Sequence, residues 1–201
     1  RREPFADLDS RMGWYVIVGT VPMVVLGLAL KKFIENEFRS LYVIAGAAIG
    51  MALVLALAER VARHVRSLES VTMKDAVVVG VAQAVALIPG ASRSGCTLTG
   101  GLLLGLQRDA AARFSFLLSI PATVAAGVFE MRHFFEAQRA PGALSAGPLV
   151  VGTFVAFVSG YASIAWLLKF LRTRSTLVFI VYRVLLGAAL FGLLGAGILA
   201  P

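Results

Sequence analysis

Apolar runs dominate the pattern of this chain, and their lengths sort them into two kinds. Residues 14–30, 41–58, 144–168 and 177–200 form long runs, and a fifth, 114–129, is slightly short but extends at its ends. A helix needs about 17–25 residues to cross a ~30 Å hydrocarbon core. Five transmembrane helices are therefore predicted. The two remaining runs, 76–88 and 102–106, are short, and between them stands a polar, glycine-rich insert, PGASRSGCTLTGG at 89–101. No period-2 alternation of a β-barrel is present, and in lipid only helices and closed barrels satisfy the backbone. The fold class is an all-α polytopic membrane protein.

The placement of basic residues decides what the insert does. If residues 76–105 enter and leave on one side, that face carries Arg1, Arg2, Arg11, Arg60, Arg63, Arg66, Lys74, Arg108, Arg113, Lys169, Arg172 and Arg174. The other face then carries only Lys31, Lys32, Arg39, Arg132 and Arg139. A single crossing by 76–105 would leave the two faces nearly equal, with no bias to orient the chain. Lys and Arg accumulate in cytoplasmic loops, so the pattern favours a re-entrant helical hairpin over about 76–106. Each arm is too short to span. Such broken backbone is tolerated at membrane depth where it is buried in protein or lines a polar cavity, and Pro89-Gly90 is the predicted break. VGTVPMVVLG (18–27) and VGTFVAFVSG (151–160) add a faint internal repeat in two spans of opposite direction. Inverted repeats with broken helices near the midplane are a recurring membrane design. Residues 1–201 are read as a single membrane domain with a partial inverted repeat.

Composition changes this picture little. Hydrophobic residues make up 59% of the 201, and mean hydropathy is +0.86. The net charge of +8 fits cytoplasmic loops better than nucleic acid, because no basic face interleaved with exposed aromatics is found. The lone cysteine, Cys96, excludes an internal disulfide and a Cys-rich metal site,. The expected partners are membrane lipid, a lipid substrate and a second copy in a homodimer.

An arginine at membrane depth is costly and marks a functional site by default. Two qualify, Arg93 at the hairpin tip and Arg183 beside Tyr182 in the last span. The guanidinium of Arg93 offers a planar fork matching phosphate oxygens. Ser92, Ser94 and Thr97 add hydroxyls, Gly90 and Gly95 bracket the arginine, and a helix resuming there points its free N–H groups at the same spot. The sum is an anion cradle for a phosphate head on a lipid tail. Pairing or snorkelling near a helix end is an equal reading for Arg183. No metal site is evident: Asp75, Asp109, Glu130 and Glu136 fall at span ends or in loops, as do His64 and His133.

GVAQAVALIPGASRSGCTLTGGLLLGLQRDAAARFSFLLSIPA (80–122) resembles the undecaprenyl-diphosphatase, or bacitracin-resistance, family of membrane phosphatases. IVGTVP (17–22), FVSGYASIAWLL (157–168) and VYRVLLG (181–187) resemble it in the same order. The resemblance implies hydrolysis of undecaprenyl diphosphate to the monophosphate, recycling the carrier lipid of peptidoglycan synthesis. It also implies a bacterial plasma-membrane location and a need for magnesium or calcium. By motif, Arg93, Ser92 and Ser94 would be catalytic, and Gly90, Gly95, Thr97 and Arg183 would bind substrate. Ala91 stands where the family usually has threonine, and Cys96 where it usually has alanine. The family's first hairpin, with its E-x-x-x-E pair and P-x-S-S-S-G-H-like loop, has no counterpart here. Metal ligands are accordingly expected mainly in an N-terminal part outside this sequence, and the chain corresponds to the C-terminal three quarters of the family's domain. Two rival readings stand beside this one: a polyprenyl-phosphate or anion transporter or flippase that binds phosphate at the same hairpin without hydrolysis, and an inactive membrane piece. A phosphatidic-acid-phosphatase-type enzyme is excluded, since no histidine follows Ser92-Arg93 at the spacing its motif requires.

Overall fold

A computed structural model describes residues 7–36, 38, 40–137 and 146–200. Eight α-helices follow one another among these residues: α1 Leu8–Ala29, α2 Lys31–Asn36, α3 Leu41–Val61, α4 Met73–Ala84, α5 Arg93–Leu103, α6 Arg108–Ala137, α7 Ala146–Thr173 and α8 Leu177–Gly195. Five of them, α1, α3, α6, α7 and α8, are long and apolar enough to cross a membrane. These are the five predicted spans, with shifted ends. α1 starts at Leu8 rather than 14 because Asp7 caps it, its carboxylate accepting the Ser10 N–H at 3.1 Å. Hydropathy does not register such a polar first turn, although it is helical.

The insert is a hairpin. α4 has 12 residues and α5 has 11, so each reaches about 16–18 Å at 1.5 Å per residue, roughly half a bilayer core. Its two ends meet at the base. The N–H groups of Val65 and Arg66 both donate to the Gly105 carbonyl at 3.0 Å, and Gln107 N–H donates to Arg66 O at 2.8 Å. A chain that returns to its point of entry has not crossed. Arg66 locks this base from the side chain: its guanidinium donates to both Asp75 carboxylate oxygens (3.1 and 2.6 Å), to Leu104 O at 3.1 Å and to Ser70 O at 2.7 Å. Asp75 in turn completes a capping box with Thr72 at the start of α4. Burial alone would raise the Asp75 carboxyl, but the bonds from Arg66 and Thr72 outweigh it and hold it below the usual carboxylate range,.

Packing then fixes the hairpin among the spans. α4 lies against α1, and α5 lies against α3 and α6. The α1–α4 contact is backbone to backbone: a Cβ on Gly80 would collide with the Gly19 carbonyl, as expected where small residues let membrane helices close. Val79, Leu102, Leu106, Phe114 and Leu118 fill the core where the hairpin meets these spans. The two repeat copies are not packed alike. Gly19 of the first abuts α4, whereas Gly152 of the second has nothing within 4 Å among the described residues.

Candidate active site at the hairpin tip

The tip is a tight turn followed by a capped helix start. Ala91 N–H donates to Ile88 O at 3.0 Å, and Gly90 has φ +88° after Pro89. Proline at the second turn position and a positive-φ glycine at the third define a type II turn. Only glycine fits there for a second reason, since a Cβ would lie 2.8 Å from Ile44 Cα and closer still to its carbonyl. Ser92 follows at φ +70°, a left-handed conformation costly for a residue with a side chain,. Its hydroxyl caps α5 by accepting Gly95 N–H at 3.2 Å, and lies 3.4 Å from the Ser94 hydroxyl. The free N–H groups of the α5 start open beside these hydroxyls, an arrangement suited to an anion.

Arg183 reaches this turn from α8. Its Nη2 donates to both Gly90 O and Ala91 O at 2.8 Å, across more than ninety residues of chain. Gly95 makes the room, because a Cβ there would stand 2.5 Å from Arg183 Nη1. Arg183 is thus a clamp on the tip rather than a snorkelling residue, a role that local sequence does not disclose. Arg93 is placed differently. It is exposed at the start of α5, and its guanidinium has no hydrogen-bond or ion-pair partner among the described residues. Thr97 is 1% exposed; its hydroxyl donates to Arg93 O at 2.9 Å and lies 2.5 Å from Ser115 Oγ of α6. It ties the hairpin to a span and holds the arginine's backbone, while Ser92, Ser94, Gly90, Gly95 and Arg183 face the cavity. Sequence reading overlooked Ser115, an isolated hydroxyl in an apolar run.

That cavity, about 380 Å³, begins at the tip and continues between apolar walls that include Ile44, Leu55, Leu167, Leu186 and Leu190. Polar groups at one place and aliphatic walls elsewhere match an amphiphile with a small anionic head. Ala91, where a threonine would supply a further hydroxyl, is 1% exposed, and Cys96 is buried behind it with its thiol 3.7 Å from Ala91 O. A divalent cation is a different matter. Hard cations take carboxylate oxygens, and no group of three His, Cys, Asp or Glu residues converges among the described residues. Asp75 is held by Arg66, and Glu59 by Arg108 and by the Thr176 hydroxyl at 3.0 Å. The described residues therefore do not fit a metal centre. Glu130 is exposed in α6, and the side chains of His133 and Glu136 lie outside the described residues.

Five spans around a broken helical hairpin, with hydroxyls and arginines at its tip and an apolar cavity leading from it, define a polytopic membrane protein built to hold an anionic head. Residues 1–189 match the family described as "Bacitracin resistance protein BacA". The chain belongs to this family. It is 61% identical over 201 residues to the undecaprenyl-diphosphatase of Myxococcus xanthus, covering 100% of this chain and 67% of that relative. It is 50% identical over 193 residues to the undecaprenyl-diphosphatase of Nocardioides sp., covering 96% and 69%. The undecaprenyl-diphosphatase of Chloroherpeton thalassium is 52% identical over 203 residues, covering 98% and 71%.

Proposed function

We propose that this chain acts as an undecaprenyl-diphosphatase, hydrolysing undecaprenyl diphosphate to undecaprenyl phosphate and phosphate. The observation that carries this is the cavity joining the Ser92–Ser94 tip to apolar walls. The lipid diphosphate seats its head at the tip and its first isoprene units between Ile44, Leu167 and Leu186. The hydroxyls of Ser92 and Ser94 and the α5 N–H groups receive phosphate oxygens. Arg93, unpaired among the described residues, swings onto the diphosphate and neutralises the charge that shifts as the P–O–P bond breaks. Arg183 keeps the turn closed so that these donors stay aimed at one point.

Carrier-lipid recycling for peptidoglycan synthesis in the bacterial plasma membrane, bacitracin resistance and a homodimeric assembly complete the proposal. So does a magnesium or calcium ion whose ligands lie outside the residues described here. Phosphate release from undecaprenyl diphosphate by the purified intact protein, with and without a chelator, is the test. Saturable binding of the lipid with no phosphate released under any metal would replace hydrolysis by transport.

A further inference from the structure

A second cavity, about 530 Å³, opens at the other end of the hairpin, where its base meets α6 and α7. Its lining is polar: His64, Ser67, Gln107, Arg108, Arg113 and Arg172 surround it, together with Glu69 and Asp109. It backs onto the tip cavity, with buried Leu171 standing between the two. The arginines are paired unequally. Arg108 is bound to Glu59 through Nε at 2.6 Å, and Arg172 approaches Asp109 at 3.5 Å. Arg113 has no such ion pair among the described residues, and its Nε is buried without a hydrogen-bond acceptor. His64 bonds through Nε2 to Glu59 O at 3.2 Å, while its Nδ1 is likewise buried and unpartnered. Glu69, the remaining acid, is exposed, and the Ser67 hydroxyl and the charge of Arg113 hold its carboxylate below the usual range, although it makes no ion pair with that arginine. The first-turn N–H groups of α6, from Arg108 onward, have no intrahelical acceptor and add positive potential at the same wall.

The buried, unsatisfied Nε–H of Arg113, on a roomy polar cavity that three arginines line, calls for an acceptor-rich anion,. We propose that this basal cavity binds a phosphate group, carried by a phospholipid head or by inorganic phosphate, with Arg113 and Arg172 as its principal ligands. The site is separate from the tip and does not depend on the chemistry assigned there. Its position at the hairpin base makes anion occupancy a brace between α6, α7 and the loop preceding α4.

A reporter at the cavity wall tests this. Ser67→Cys, with Cys96→Ala, is placed in phosphatidylcholine nanodiscs, and its modification rate by a sulfonate-bearing thiol reagent is followed. Millimolar inorganic phosphate, or nanodiscs containing phosphatidic acid without added phosphate, slows modification at least threefold. Chloride at matched ionic strength does not. Arg113→Gln and Arg172→Gln, each eluting as monodisperse protein, remove the protection, while Arg113→Lys keeps part of it. Protection by lipid alone identifies a headgroup site, and protection by phosphate alone a site for the free ion. No protection by either, equal protection by chloride, or protection unchanged in both Gln variants overturns the proposal.

Discussion

Gly95→Ala adds one methyl group, and its consequence is set by Arg183. The new Cβ would stand 2.5 Å from Arg183 Nη1 and 3.3 Å from Ser92 Cβ and Oγ. Ordinary carbon contact begins near 3.5 Å, so the guanidinium must retreat by about 1 Å. Its bonds to Gly90 O and Ala91 O, each 2.8 Å, then pass out of hydrogen-bonding range. Bonds to a charged donor contribute about 1.5–3 kcal/mol each. Losing both, less what rearrangement recovers, amounts to roughly 3–4 kcal/mol of tip order. At about 1.4 kcal/mol per tenfold, kcat/KM falls on the order of 10²–10³-fold. Helix stability moves the other way, since alanine is favoured over glycine inside a helix by roughly 0.5–1 kcal/mol. The intact protein is assayed for phosphate release from undecaprenyl diphosphate, beside thermal unfolding in the same detergent. The gain offsets only part of the loss, so the expected signature is a large loss of kcat/KM measured well below a Tm that falls by roughly 5–10 °C. Turnover at the wild-type level would show that the clamp on the tip is not needed for hydrolysis. Unfolding of the variant at the assay temperature would reduce the effect to folding.

Three further outcomes follow from the same geometry. Arg93→Ala should nearly abolish phosphate release, and Arg93→Lys should restore it poorly because the bidentate fork is lost; full turnover of the Lys variant would refute the fork. Cysteines introduced at Ser67 and Ala140, with Cys96 replaced, should be labelled from opposite sides of the membrane, Ser67 from the cytoplasm, and labelling of both from one side would eliminate the re-entrant hairpin. Asp75→Asn breaks the hairpin-base latch and should cost about 1–3 kcal/mol, the effect of losing hydrogen bonds to a charged group whose partner, Arg66, keeps access to water,. Since the Asp75 carboxyl is held below its ordinary value, the latch is at full strength above about pH 4. It fades only as pH falls through the depressed value. The gap in melting temperature between wild type and Asp75→Asn should therefore be constant from pH 7 to 5 and close in stronger acid; a gap closing near pH 6 would contradict this.

What could be seen in the sequence was whatever depends on neighbours along the chain. Span number follows from run length, and the hairpin follows from where Lys and Arg fall, because both reflect how each segment meets lipid and water. The Pro89-Gly90 turn was legible because turn chemistry is local; the capping role of Ser92, which from the sequence is only a phosphate-binding hydroxyl, was not. Contacts between distant segments were not. Arg66 bonding Leu104 O, Thr97 meeting Ser115 and Arg183 gripping Gly90 and Ala91 all join elements whose adjacency only packing creates. Arg183 shows the physical reason. In the sequence it is a charge within an apolar run, for which pairing and ligand binding are equally good explanations. In the fold, a turn lifted out of helical hydrogen bonding leaves two carbonyls with no helical partner at membrane depth, where they are costly to leave unmet. The guanidinium of Arg183, itself expensive in lipid, is satisfied by those same carbonyls. Each group offsets the other's burial, whereas Arg93, exposed at the start of α5, has no hydrogen-bond or ion-pair partner among the described residues.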